Sequence, residues 1–339
     1  MSQENLSIAQ RVLRYDELVP CTTAFIDART PGSDKKQNYC LIGQGVAENP
    51  GQVVHIKHPH PFDIGAAKQP NGCKNSHHSH DTAEVFVVHK GSWKFTWGEH
   101  GTDGEAVLEE GDTISIPTNV FRGFENVGND EGFLFCILGL NKDGSAGHVH
   151  WAPYVYEQAT KHGLVLLDDG RLLDTLAGDV VPEDAVLCTP TTAADVPNFD
   201  SMTVEQMLRC VITNDQLAEQ PVGGLNGNGV KEIAIVGAAS TDEALPAAKM
   251  AWTHGFSSRR LQLEPNASTA AHTRAEEEVL FIHKGSLSLT VDGEEWVLGE
   301  GDLITIPVGS TRSFRNAADV LCDVIVARGA DVPQAANFS

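Results

Sequence analysis

The chain has 339 residues, 41% hydrophobic and 21% charged, the balance of a globular protein with room for two or three domains. Acidic residues outnumber basic ones 46 to 24, and the formal net charge of -22 sets the surface against nucleic acid. No apolar run approaches the ~20 residues of a membrane-spanning helix, so no membrane partner is expected.

The opening Met1-Ser-Gln-Glu-Asn-Leu-Ser lacks the basic and apolar regions of a secretory signal, and a cytoplasmic protein is expected. The cysteines, at positions 21, 40, 73, 136, 188, 210 and 322, are odd in number and scattered, without a Cys-x-x-Cys. That fits reduced thiols better than a disulfide framework. Nothing near Cys73 lowers its pKa by a visible mechanism. The first ~20 residues read as an arm. His58-Pro-His60 falls in a loop with no carboxylate at ligand spacing and reads as incidental.

From residue 72 the pattern becomes informative. Gly72 is followed by five residues, then His78-x-His80, three residues, Glu84, six residues and Gly91. On an extended chain, side chains at even spacing share a face, so His78, His80 and Glu84 on one continuous strand would point the same way. Phe86 and Val88 continue that face, whereas His77 and His89 have the opposite parity and read as structural. Short β-rich runs recur at Glu84–Val88, Trp93–Trp97, Thr113–Ile116 and Gly132–Leu138, the spacing of an all-β barrel or sandwich. Trp93, Phe95 and Trp97 alternate as barrel wall, with the lining of a ligand cavity as the alternative. A further His148-x-His150 reads as packing, the alternative being that one of the pair folds over the barrel mouth as a ligand.

Beyond residue 150 the character changes. Pro153–His162 reads as a helix with proline in its first turn and Gly163 as its stop. Leu164–Leu167 is strand-like, Asp168-Asp-Gly170 a turn, and residues 189–198 are rich in Pro, Thr and Ala. These features describe an ordered connector.

The remainder repeats the first part. Glu84–Gly91 (EVFVVHKG) returns as Glu278–Gly285 (EVLFIHKG), Glu110–Pro117 as Glu300–Pro307, and Arg122-x-Phe-x-Asn126 as Arg312-x-Phe-x-Asn316. The lead-in Leu13–Leu18 is echoed by Ile212–Leu217. His283 repeats His89. A tandem duplication follows, with boundaries at 1–150 for the first barrel and its arm, 151–203 for the connector and 204–339 for the second barrel.

The frame of Gly72, His78, His80, Glu84 and Gly91, followed by Gly111, Pro117 and Asn126, resembles the two signature motifs of the cupin superfamily. The likeness covers about 60 residues in each copy. It implies an all-β bicupin, two jelly-roll (double-stranded β-helix) barrels joined by a partly helical connector. It also implies one divalent transition metal (Fe, Mn, Ni, Cu or Zn) in the N-terminal barrel, held by His78, His80 and Glu84, with positions open for water, dioxygen or substrate. Where the family supplies a fourth ligand, a histidine, this chain has Arg122. A guanidinium cannot ligate and repels a cation by roughly 4 kcal/mol per unit charge at contact, so something anionic belongs between them. Arg122 is therefore expected to orient an anionic small-molecule substrate, with Glu84 as ligand and occasional base.

The second copy offers His272, Arg274, Glu278 and Arg312 at the matching positions. That is a poor metal set, and either an internal salt bridge or an anion pocket is expected there. Similarity to quercetinase-like and gentisate-type enzymes implies a dioxygenase acting on a small anionic aromatic or enolic substrate. A metal-dependent isomerase, lyase or decarboxylase, and a non-catalytic small-molecule-binding protein, are the alternatives. Cupin barrels associate through edges and arms, so a homodimer is expected, with a monomer as the alternative.

Overall fold

Two antiparallel sheets face each other in each half of the chain, as the short alternating runs predict. The computed structural model describes residues 6–338. It divides into two compact units, one built from Val19–Val54 and Asp63–Asn214, the other from the chain up to Leu18, His55–Phe62 and the chain from Asp215 onward.

In the N-terminal unit, one sheet runs Val211–Ile212, Thr113–Ile116, Glu84–Lys90, Gly132–Gly139, Phe62–Gln69, Gln37–Ile42. The other runs Val149–Trp151, Lys74–His80, Arg122–Asn126, Trp93–Trp97, Gly104–Leu108. Between them lie the alternating apolar side chains, among them Phe86, Val88, Trp93, Phe95, Trp97, Phe124 and Leu134. Trp93, Phe95 and Trp97 are thus core fillers, with the indole N–H groups donating to the carbonyls of Lys90 and Met202. The C-terminal unit repeats the plan. One sheet contains Glu278–Lys284 between Leu303–Ile306 and Cys322–Gly329, and the other contains Arg312–Arg315 between Leu287–Val291 and His272–Thr273.

The units do not follow the linear partition at 150 and 204. Val12–Leu13 pairs with Leu303–Ile304 in the C-terminal unit, and Val211–Ile212 pairs with Thr113–Ile114 in the N-terminal unit. The duplicated lead-ins therefore occupy equivalent edges in identical register, each in the unit its linear position does not suggest. Tyr15 N donates to Asp302 at 3.0 Å, and Asn214 N to Asp112 at 2.7 Å. The repeated Glu-Gly-Asp turn explains its glycine here. Gly111 and Gly301 have φ of 92° and 84°, and a Cβ would lie 2.6 Å from Asn214 or 2.5 Å from Tyr15. Covering an edge strand also removes a site for unwanted pairing. The described part of the expected arm is thus engaged within its own chain; residues 1–5 lie outside the described part.

The connector is ordered. The helix spans Pro153–Lys161 and buries Val155 and Ala159 on a cluster with Trp151, Leu164 and Leu172. Leu164–Leu166 pairs with Leu172–Asp174 across the expected turn. All of it belongs to the N-terminal unit.

The repeated asparagine is a lock. Asn126 donates to the carbonyls of Gln69 and Asp130, both at 2.8 Å, and Asn316 does the same to Leu263 and Val320 at 2.9 and 2.7 Å. Both side chains are fully buried, so removing the amide strands two carbonyls. Asn126→Ala is expected to cost ~2–3 kcal/mol, measured as a lowered urea midpoint. A loss below ~0.5 kcal/mol, the size of a surface change, would contradict this role.

Candidate metal centre

His78 and His80 end the Lys74–His80 strand, pointing inward on alternate residues, while His77 points away. The chain then bends at residues 81–83 and enters the opposite sheet at Glu84. The expectation of one continuous strand is therefore corrected: the carboxylate comes from the facing sheet. Ligand atoms of His78, His80 and Glu84 nevertheless lie within 4.8 Å of one another, and all three residues are buried.

His78 is set to offer a lone pair. His78 Nδ1 is 2.8 Å from the Ser76 carbonyl, which holds the proton on Nδ1 and leaves Nε2 free. Burial, helped by the nearby Arg122 charge, holds His78 well below the ordinary imidazole range, so the ring is neutral. The Trp151 ring packs on His78 with centroids 5.0 Å apart. His80 Nε2 stands 3.6 Å from Glu84 Oε1, and its Nδ1 has no hydrogen-bond partner.

Support for His78 comes from residues that motif spacing does not reveal. Lys36, fully buried, pairs with Asp27, donates to Asn75 at 3.0 Å and lies over the Phe25 and Trp151 rings. Asp27 in turn accepts from Ser76 N at 3.0 Å, fixing the carbonyl that orients His78. Trp151 donates to Glu48 at 2.7 Å, and burial pushes that carboxyl up to about 8 against this bond and one from Ile26 N. Asp27, Lys36 and Glu48 are distant in sequence and fit no ligand pattern; only packing unites them with the histidines.

Arg122 sits opposite His78 in the strand register, where the family's fourth ligand would stand. Its Nε and Nη2 both donate to Glu84 Oε2, at 3.1 and 2.5 Å, and Nη1 reaches the His78 carbonyl at 3.4 Å. The guanidinium thus faces the carboxylate of the candidate ligand Glu84. The anionic group expected beside it is Glu84 itself. Oε1 is left turned toward His80, with the Cys136 thiol 3.5 Å away. Burial pushes Glu84 up to about 8 and Arg122 down to about 9, each toward its neutral form. Their mutual contact opposes both shifts, because only together do two charges persist in a dry interior.

The other histidines are elsewhere. His77 bonds Tyr154 and Thr96 at 2.9 Å, and burial lowers it to about 4. His150 pairs with the exposed Asp81, and His148 is exposed; neither joins the ligand group. His58 and His60 belong to the C-terminal unit, where they contact Glu277 and Thr305, so their pairing there is structural.

The matching positions of the C-terminal unit carry a buried charge network. Arg274 contacts Glu232 and Glu243 at 3.2 and 3.0 Å, and Arg328 contacts the same two at 2.8 and 3.0 Å. Glu278 faces Arg274 and Arg312 at 3.7 and 3.9 Å. His272 lies opposite Arg312 and is held to the Ala270 carbonyl. Burial alone would raise Glu232, but Arg328 and Arg274 hold it below its ordinary value. Glu232, Glu243 and Arg328 lie outside the motif frame, and sequence spacing does not anticipate them.

Two comparisons bear on this arrangement. The cupin domain family matches twice, over residues 67–138 and 259–327. The fold is that of a bicupin. Solved bicupins similar to it include oxalate decarboxylase from Lactobacillus farciminis in a formate complex, with TM-score 0.56 and 11% identity over 98% of this chain and 89% of that one. Oxalate decarboxylase from Bacillus subtilis at pH 4.6 superposes with TM-score 0.55 and 13% identity over 99% of this chain and 80% of that one. No protein of curated function matches the sequence.

Two outcomes follow for this bicupin site. Arg122→Gln removes a positive charge beside the ligands, yet it is expected to weaken Mn(II) or Co(II) binding ten- to a hundredfold, because Glu84 loses its anchor. Tighter binding by calorimetry would mean repulsion dominates. Ligation also requires the ionised Glu84. With its carboxyl raised to about 8, metal affinity should climb with pH up to that region and level off above it, with proton release below. Affinity independent of pH between 6 and 8 would contradict the raised carboxyl.

Proposed function

We propose that this bicupin is a metal-dependent enzyme acting on a small carboxylic acid by non-oxidative chemistry, of the decarboxylase or lyase class. The convergence of His78, His80 and Glu84 in the N-terminal unit carries the reading. Two imidazoles and one carboxylate suit Mn or Fe, and the same donors accommodate Ni, Cu or Zn. When bound, the metal supplies a Lewis acid for a carboxylate or enolate oxygen. Glu84, held at Oε2 by Arg122, contributes ligand charge through Oε1. Trp151 and the Asp27–Lys36 pair keep His78 in place. The oxalate decarboxylase neighbours support this class through fold alone.

A dioxygenase is the second reading. A two-histidine, one-carboxylate set leaves adjacent coordination positions free, the arrangement of non-haem iron oxygenases. The C-terminal unit is proposed to be metal-free, its locus filled by arginine and glutamate. Among the described residues no helix is long and apolar enough to cross a membrane. A cytoplasmic location and a homodimer belong to the proposal.

The deciding experiment is metal analysis of the purified protein beside a His80→Ala/Glu84→Ala variant, followed by carbon dioxide release and dioxygen uptake with a panel of 2-oxo and dicarboxylic acids. About one equivalent of metal per chain, absent from the variant, with carbon dioxide released and no dioxygen consumed, is expected. Stoichiometric dioxygen uptake would favour the second reading. Absence of metal after reconstitution with Mn(II) and Fe(II) would leave a non-catalytic binding protein.

A further inference from the structure

The buried charge network of the C-terminal unit does not sum to zero. Arg259, Arg274, Arg312 and Arg328 meet Glu232, Glu243 and Glu278, and every one of the seven is more than nine-tenths buried. Four positive charges therefore face three negative ones, a surplus of one. Arg260 does not alter the sum, because Asp323 matches it. Burial lowers His272 and so favours its uncharged form. Asp292 also acts on Arg312, but it is exposed and accepts from Thr311 N. A surplus charge in a dry interior has to be matched or it weighs against the fold.

The hydrogen bonds of the network are short of acceptors in the same sense. Six guanidinium nitrogens find no acceptor among the protein groups: Nε and Nη2 of Arg259, Nε of Arg274, Nε and Nη1 of Arg312, and Nε of Arg328. Only three acceptors are left over, Glu243 Oε2, Glu278 Oε2 and His272 Nε2. Ser257 Oγ, opposite Arg328 in the strand register, serves either way and does not close the gap. The shortfall is sharpest at Arg312. Its one hydrogen bond goes to the Pro307 carbonyl at 2.8 Å, and its nearest carboxylate, Glu278, stands 3.9 Å away. Arg328 shows the contrast. Burial works against its charge, but Glu232 and Glu243 more than offset that and raise it, whereas at Arg312 burial prevails over Glu278.

We infer that the arginine cluster of the C-terminal unit binds one compact monoanion, a small carboxylate or a halide, seated at Arg312. One negative charge brings the network to zero, and an anion is all acceptor, which is what the unmatched guanidinium nitrogens lack. Water supplies acceptors but no charge. A divalent cation would raise the surplus from one to three, and a dianion would reverse its sign. Carboxylate and halide share the chemistry the cluster asks for, and the inference does not rest on metal binding in the N-terminal unit.

The test is calorimetry on the full chain, dialysed free of small anions into sodium HEPES and titrated at fixed ionic strength with acetate, chloride and sulfate. Acetate or chloride is expected to bind at one equivalent per chain, the tighter of the two naming the source, with sulfate about tenfold weaker or worse. Arg312→Gln, which leaves three charges of each sign, should weaken binding about tenfold or more. Glu278→Gln, which doubles the surplus, should tighten it about fivefold or more. Crystals of the full chain soaked in bromide should show an anomalous peak in contact with the Arg312 guanidinium. Should a variant fail to fold, the parent titration and the bromide position decide. Absence of saturable binding, affinity unchanged by Arg312→Gln, sulfate binding most tightly, or bromide found at surface positions as an adventitious ion only would each overturn the inference.

Discussion

The pairing of Arg122 with Glu84 governs what the N-terminal unit can hold. A carboxylate inside a dry β-barrel demands a counter-charge, and here one guanidinium occupies a single oxygen of it through two nitrogens. The other oxygen stays turned toward His80. A residue that cannot ligate thus stands in the strand position of a ligand and anchors the carboxylate that remains. The C-terminal unit answers the same demand differently. There Glu232, Glu243 and Glu278 are matched by Arg259, Arg274, Arg312 and Arg328, so charge fills the region that its counterpart leaves to the two imidazoles.

Both outcomes stand on one scaffold. The exchanged lead-ins, the positive-φ glycines beneath them and the Asn126 and Asn316 locks recur in equivalent places, which shows that packing and backbone constraints have stayed in register while the loci have diverged. Constraints of this kind are met by glycine, asparagine and aspartate acting on backbone groups. They are indifferent to what the barrel lumen contains.

Within the N-terminal unit, the three candidate ligands lie together at one end of a mostly apolar space. Trp151 belongs to both regions, packing on His78 while closing the cavity wall and bonding the buried Glu48. Low dielectric strengthens every interaction at the ligand end and penalises every unmatched group along the wall.

The sequence by itself determined the duplication, the β architecture and the three candidate ligands, because each rests on local spacing: period-two alternation, turn glycines and a repeated frame of residues. It also marked the fourth position as arginine in both copies. Only the tertiary structure decided what that arginine faces, since a side chain's partner in a barrel lies on a strand far away in sequence. The same reason hid Asp27, Lys36 and Glu48 behind the site, placed Glu84 on the sheet opposite the histidines, and gave each lead-in to the unit its linear position does not suggest. Local patterns record which face a residue occupies; which residues meet across a barrel depends on strand order and register.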